Sequence, residues 1–174
     1  MSVLRVLDPG DADVLAHLWA TNREHLDPWS PAREPSFYTA QGQLDHAERR
    51  LLAMAEGRGA SFVVLDETGV VVGEINLTDV VRGAFQNGHV GYWVAAEAQG
   101  RGLMTRAVEE VASYAFDVLR LHRLQAVTLE TNARSQAVLS RAGFEQFGRA
   151  PRYLKIDGRW QDHLMFHRFT THDV

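Results

Sequence analysis

The chain has 174 residues, a formal net charge of −4 and no cysteine. That length suits one globular domain with a sizeable core. The charge denies it the overall basic field that non-specific nucleic-acid binding requires, and the lack of thiols removes disulfides, thiolate metal sites and cysteine nucleophiles.

Taken in order, Val3 to Leu7 reads as a strand, and Asp8-Pro-Gly-Asp11 as a turn ending in the N-cap of a helix that runs to about Arg23. Val14, Leu15, Leu18 and Trp19 give that helix its apolar face. The three prolines of HLDPWSPAREP, from His25, impose an irregular segment, and a helical pattern resumes from Tyr38 to Glu56 until Gly57 and Gly59 stop it. Ser61 to Leu65 and Val70 to Leu77 read as an antiparallel hairpin around Asp66-Glu-Thr-Gly69, and His89 to Ala96 as the next strand. From Leu103 to Leu119 apolar residues recur at steps of three and four, the mark of a long helix. A strand over Arg123 to Leu129, a short helix from Asn132 to Ala142 closed by Gly143, and a hairpin of Gln146 to Ile156 with Trp160 to Phe169 about Asp157-Gly158 complete the chain. The order β-α-α-β-β-β-α-β-α-β-β predicts a mixed α/β fold, a central twisted mixed sheet flanked by helices, over residues 1–174 as a single domain.

No apolar run approaches the ~20 residues that span a bilayer, and the opening MSVLRVLDPGD lacks a signal-peptide core. A cytoplasmic protein with neither a membrane nor direct nucleic acid as partner is expected.

The chemistry concentrates between the strand ending at Ala96 and the helix starting at Leu103, where the chain reads EAQGRGLM. A helix start leaves N–H groups without intrahelical partners and carries the positive end of the dipole, so it attracts anions. Gly100 and Gly102 let a phosphate approach those amides, and Arg101 adds charge. The stretch is neither a P-loop, lacking GxxxxGK[ST], nor a dinucleotide fingerprint, lacking the third glycine of GxGxxG. The strand before this helix and the strand after it can lie parallel in one βαβ unit, which would bring QGRG and TNARS, Thr131 to Ser135, to one cleft at their carboxyl ends.

QGRGLM, NARSQAVLSRAGF and RYLKIDGRWQDH, in that order and spacing, resemble the GNAT acyl-CoA-dependent N-acetyltransferases, and within them the ribosomal-protein-alanine N-acetyltransferase (RimJ/RimL-like) branch. The similarity extends to NREHLDPWSP and VVRGAFQNGHVGYWV, hence over nearly the whole chain. It departs from the family pattern Q/R-x-x-G-x-G/A at Met104, where Gly or Ala is usual. The resemblance implies a GNAT fold and acetyl-CoA as cosubstrate, its pyrophosphate held by the amides from about Gly100 through Arg101, Gly102, Leu103 and Met104 to Thr105, with Gln99 also at the cofactor site. It implies that the strand ending Trp93-Val94 splays from its neighbour, pairs with the pantetheine arm and offers an amide to the thioester carbonyl, an oxyanion site. It also implies that Asn132 and Ser135 contact the pantetheine arm and sulfur.

The tyrosine that many GNAT enzymes place just before the A-G-F helix end is absent from VLSRAGF, so Ser135 is the candidate for assisting thiolate departure, with capping of its own helix as the alternative. Among candidate bases His89 is preferred, because it begins the strand that the resemblance makes acyl-binding, where related sequences commonly have glutamate; Glu74 and Glu130 are its rivals, and each of the three also reads as an ordinary surface residue. Trp29 and Phe85, in loops, are candidates to line the acceptor site. His163 and His167 share a strand face without a third ligand, so no metal is expected. The basic run Arg149, Arg152, Lys155 and Arg159 reads as a solvated hairpin, with an acidic partner surface as the alternative. The expected reaction is acetyl transfer to a protein N-terminal α-amine, with a small amine acceptor or a non-catalytic acyl-CoA-binding module as alternatives. A homodimer is compatible with the sequence.

Overall fold

Strand β1 (Leu4–Val6) enters helix α1 (Ala12–Thr21) through a Pro-Gly turn in a computed structural model that describes residues 2–171. The expected cap, Asp11, does not cap α1 with its side chain. Its carboxylate instead accepts from the Asp8 amide at 2.9 Å and pairs with Arg5 at 2.6 Å. Helix α1 ends two residues before the expected boundary, at Asn22, whose backbone N–H and side chain both donate to the Leu18 carbonyl at 3.0 Å. A one-turn helix α2 (Arg23–Leu26) and two 3₁₀ turns, Asp27–Trp29 and Pro35–Tyr38, occupy the segment expected to be irregular. Helix α3 (Ala40–Ala55) then starts at Thr39, whose hydroxyl accepts from the Gly42 amide at 3.1 Å.

Strands β2 (Ala60–Leu65), β3 (Val71–Val81) and β4 (Asn87–Val94) form an antiparallel meander, β3 running four residues beyond the expected Leu77. Helix α4 (Leu103–Ser113) continues as a π-helical turn, Tyr114–Val118, before β5 (Arg123–Leu129). Helix α5 (Ala133–Arg141) and the hairpin of β6 (Glu145–Ile156) and β7 (Arg159–Phe169) follow. Asp157 and Gly158, at φ +49° and +73°, make the tight turn that their dipeptide suggested.

Among the described residues seven strands form one sheet in the order β1-β2-β3-β4-β5-β7-β6, antiparallel except for the β4–β5 pair, which is parallel as expected. One face packs against α4 and α5 through Leu103, Val108, Val111 and Leu139, and the other packs against α1 and α3 through Leu15, Leu18 and Ala47. The long helix feeds the larger core through Ala107, Val108, Val111, Ala112 and Ala115, which recur at helical spacing and are all fully buried.

Candidate active site

The parallel strands are paired at only three positions, Asn87 with Arg123, Gly88 with Leu124 and His89 with Gln125. From Val90 to Val94 β4 pairs with β3 alone, so its β5-facing edge is unpaired and a wedge opens toward the carboxyl ends of both strands. The chain leaves β4 through a 3₁₀ turn, Ala96–Ala98, anchored where the Ala96 amide donates to Asn22 Oδ1 at 2.8 Å. Asn22, invisible in the periodicity, thus ties the break between α1 and α2 to the exit of β4.

Gly100 and Gly102 have φ of +75° and +72°, the left-handed region that favours glycine, and nothing lies within 4 Å of where a Cβ would stand on either. Gly102 is the N-cap of α4, and no side chain caps that helix. Met104, the departure from the family pattern, buries its side chain in the core beside Leu103, so only its backbone faces the turn. Gln99 is a tether: its Oε1 accepts from Arg134 on α5 at 2.9 Å, and its Nε2 lies 3.0 Å from His25 Nε2, which is itself 3.2 Å from the Val94 carbonyl. Arg101 is exposed and donates to the Glu97 carbonyl at 3.2 Å, while Thr105 is half-buried on the first turn of α4. The uncapped positive end of α4 therefore stands open at the rim of the wedge, with room and charge for an anion.

Helix α5 starts on the other wall. Its cap is Asn132, whose Oδ1 accepts from the Ser135 amide at 3.1 Å. Ser135 does not cap its own helix, so that alternative reading of its hydroxyl falls. Its Oγ lies instead 2.9 Å from the phenol oxygen of Tyr92 on β4. The sequence offered no reason to single out Tyr92 beyond its place in a strand. Burial raises its phenol pKa above the ordinary tyrosine value, and the Ser135 hydrogen bond works weakly the other way.

A family model of the acetyltransferase (GNAT) domain matches residues 2–145. This chain belongs to that family. It is 34% identical over 164 residues to the [ribosomal protein uS5]-alanine N-acetyltransferase of Escherichia coli, covering 94% of this chain and 84% of the relative. Among solved structures, the ribosomal-protein-S5-alanine acetyltransferase from Vibrio fischeri superposes with a TM-score of 0.92 at 32% identity, covering 97% of this chain and 92% of that one. RimJ of Mycobacterium smegmatis, solved in complex with CoA-disulfide, gives 0.91 at 30% identity, covering 95% and 80%. The fold is thus that of a GNAT N-acetyltransferase, and the chain is an acetyltransferase of that class.

Within this GNAT frame the three candidate bases sit in different settings. His89 occupies the closed end of the wedge, its Nε2 2.9 Å from Gln125 Oε1, and four residues along β4 separate it from Trp93, about 13 Å of strand. Glu130 is engaged by Arg149 at the surface. Glu74 is 2% exposed, which removes the solvated reading. It stands opposite Trp93 in the β3–β4 register, accepts from the Trp93 indole N–H at 3.0 Å, and among the described residues has no well-formed hydrogen bond at Oε1. Burial pushes its carboxyl above the ordinary carboxylate range, against the pull of Arg50, of the Trp93 and Trp19 indoles and of Arg33.

Trp29 is exposed on the 3₁₀ turn that follows α2. Phe85 is exposed in the β3–β4 loop, at the opposite end of β4 from the glycine turn. His163 Nδ1 is 2.9 Å from the Gln161 carbonyl, His167 stacks on Phe147 at 4.6 Å, and among the described residues no group of three or more metal-ligating side chains converges. Of the basic run, Arg149 bridges Glu130 and Asp162 across the hairpin. Among the described residues no helix is long and apolar enough to cross a membrane.

Proposed function

We propose that the protein transfers the acetyl group of acetyl-CoA to the N-terminal α-amine of a protein, an alanine-initiated ribosomal chain being the first candidate. The observation that carries the cosubstrate is the uncapped start of α4 behind two Cβ-free, left-handed glycines at the mouth of a strand wedge. There the amides from Gly100 to Thr105 hold the pyrophosphate, with Gln99 and Arg101 at the rim. The unpaired edge of Val90–Val94 pairs with the extended pantetheine arm, and an amide at Trp93 or Val94 receives the thioester carbonyl as it becomes an oxyanion. Asn132 and Ser135 face the arm from α5, with the Ser135 hydroxyl toward the departing sulfur.

The nucleophile is a neutral amine. Glu74 is the carboxylate placed beside the acyl strand on the face opposite Ser135, and its Oε1, which lacks a well-formed hydrogen bond among the described residues, makes it the base we assign. An α-amine, with a reference pKa of about 7.7–8.0, keeps an appreciable neutral fraction at pH 7, whereas a lysine amine at about 10.4 does not. No step in this scheme calls for a metal. The acceptor reading rests on the uS5-alanine acetyltransferases to which the chain is similar at 32–34% identity. Its test is kcat/KM for an Ala-initiated peptide, the same peptide N-blocked and carrying a lysine, and spermidine, all at one pH. The free Ala peptide is expected to lead; preference for either competitor overturns the α-amine assignment and leaves the acetyl-CoA site standing.

A further inference from the structure

We infer that Tyr92 is a positioning residue for thiolate departure, acting through the Ser135 hydroxyl across the mouth of the wedge. The inference rests on the reading of Ser135 given above. Tyr92 projects from the unpaired part of β4 toward α5, packed against the core beneath α4, and its register partner on β3 is the buried Ile75. Its phenol oxygen lies 2.9 Å from Ser135 Oγ and donates to the Ser135 carbonyl at 3.2 Å. The two residues are 43 positions apart in the chain and meet only because the wedge brings β4 against the start of α5. Since Asn132 already fixes the Ser135 amide, the hydroxyl rotor is what remains to be set, and Tyr92 is the group that sets it.

The chemistry follows from two hydroxyls with one rotatable proton each. In the resting arrangement the phenol donates to the Ser135 carbonyl and Ser135 donates to the phenol oxygen. As the amine nitrogen bonds to the acetyl carbon and the C–S bond breaks, the bonding pair stays on sulfur. Ser135 then turns its O–H to the thiolate, and Tyr92 turns its own O–H onto Ser135 Oγ, polarising the hydroxyl that carries the charge. The nitrogen releases its proton to the base, the thiolate takes one from solvent, and both hydroxyls return to rest with no net change. Because burial holds the phenol protonated, it stays a donor over the working range. Tyr92 thus supplies, from a strand, a phenol near the sulfur that VLSRAGF lacks.

The test is a double-mutant cycle of Tyr92→Phe and Ser135→Ala, read as kcat, KM for acetyl-CoA and melting temperature. Ser135→Ala is expected to lower kcat by about a hundredfold. Tyr92→Phe, which deletes one oxygen, should lower kcat roughly five- to tenfold, a single hydrogen bond's worth, with KM within about twofold. In the Ser135→Ala background the second change should lower kcat no further. Wild-type kcat in Tyr92→Phe, or an effect that multiplies fully with that of Ser135→Ala, overturns the inference. A raised KM and lowered melting temperature at unchanged kcat would make the contact a structural tie between β4 and α5. Wild-type kcat in Ser135→Ala removes the assignment of Ser135 itself, and this inference with it.

Discussion

Gly102 opens α4 at φ +72° with free space where a side chain would be, so a substitution there is strained by the backbone and obstructs whatever the helix start binds. Gly102→Glu adds a carboxylate where phosphate is expected, and acetyl-CoA should then no longer raise the melting temperature. Unchanged stabilisation of a folded Gly102→Glu protein would place the cosubstrate elsewhere. Glycines between a strand and a helix are readable in a sequence because they encode backbone shape directly. Side-chain allegiance is not. Asn132 and Ser135 are both good capping residues, and only the geometry gives the cap to Asn132 and leaves the Ser135 hydroxyl free to meet Tyr92. Alternation along β4 could say that Tyr92 faces inward but not that a hydroxyl on another element waits there.

Elements governed by local pattern lay where the sequence put them. Strand β5 spans the expected residues, the β6–β7 turn falls on Asp157-Gly158, and the β4–α4–β5 crossover is parallel. Boundaries set by distant contacts moved. The first helix stops at Asn22, whose backbone N–H closes the last helical bond to Leu18 while its side chain donates to the same carbonyl and accepts from Ala96, 74 positions away. Similarly, the last turn of the long helix widens to π geometry, which its uninterrupted apolar stripe does not announce. The Asn22 contact makes a prediction at this scale: Asn22→Ala removes a buried side chain that fixes the β4 exit. It should cost about 1–3 kcal/mol in denaturant unfolding, and the loosened glycine turn should raise KM for acetyl-CoA more than it lowers kcat. A stability loss with unchanged KM would confine Asn22 to the fold.

For the whole molecule, the charged interior facing α3 couples stability to pH. The folded protein binds the Glu74 proton more tightly than the unfolded chain does, since burial raises that carboxyl above its ordinary 4.5. The stability so gained is complete below that value and is lost as pH rises through the raised one. His46, which accepts from Arg50 Nε at 2.7 Å, runs the other way: burial, then Arg50, Arg33 and Arg49, push it from 6.5 down to about 4. Its contribution is present above 6.5 and is lost as pH falls toward 4. Glu74→Gln removes only the first effect. Its melting temperature, relative to that of the natural protein at the same pH, should therefore rise steadily from pH 5 to pH 8. If Glu74 is the base, kcat/KM at pH 7 falls about a hundredfold in the same variant. A pH-independent margin would mean that the carboxyl titrates alike folded and unfolded.

The parting of β4 from β5 bears also on edge-to-edge association. A free strand edge at the margin of a sheet invites pairing with other molecules, and proteins blunt such edges with charge, bulges or cover. Here five residues of free edge, Val90–Val94, lie in the interior of the sheet order, walled by β5 and by the starts of two helices. A slender extended chain can reach that edge, and another sheet cannot. The fold thereby withholds a free backbone edge from aggregation.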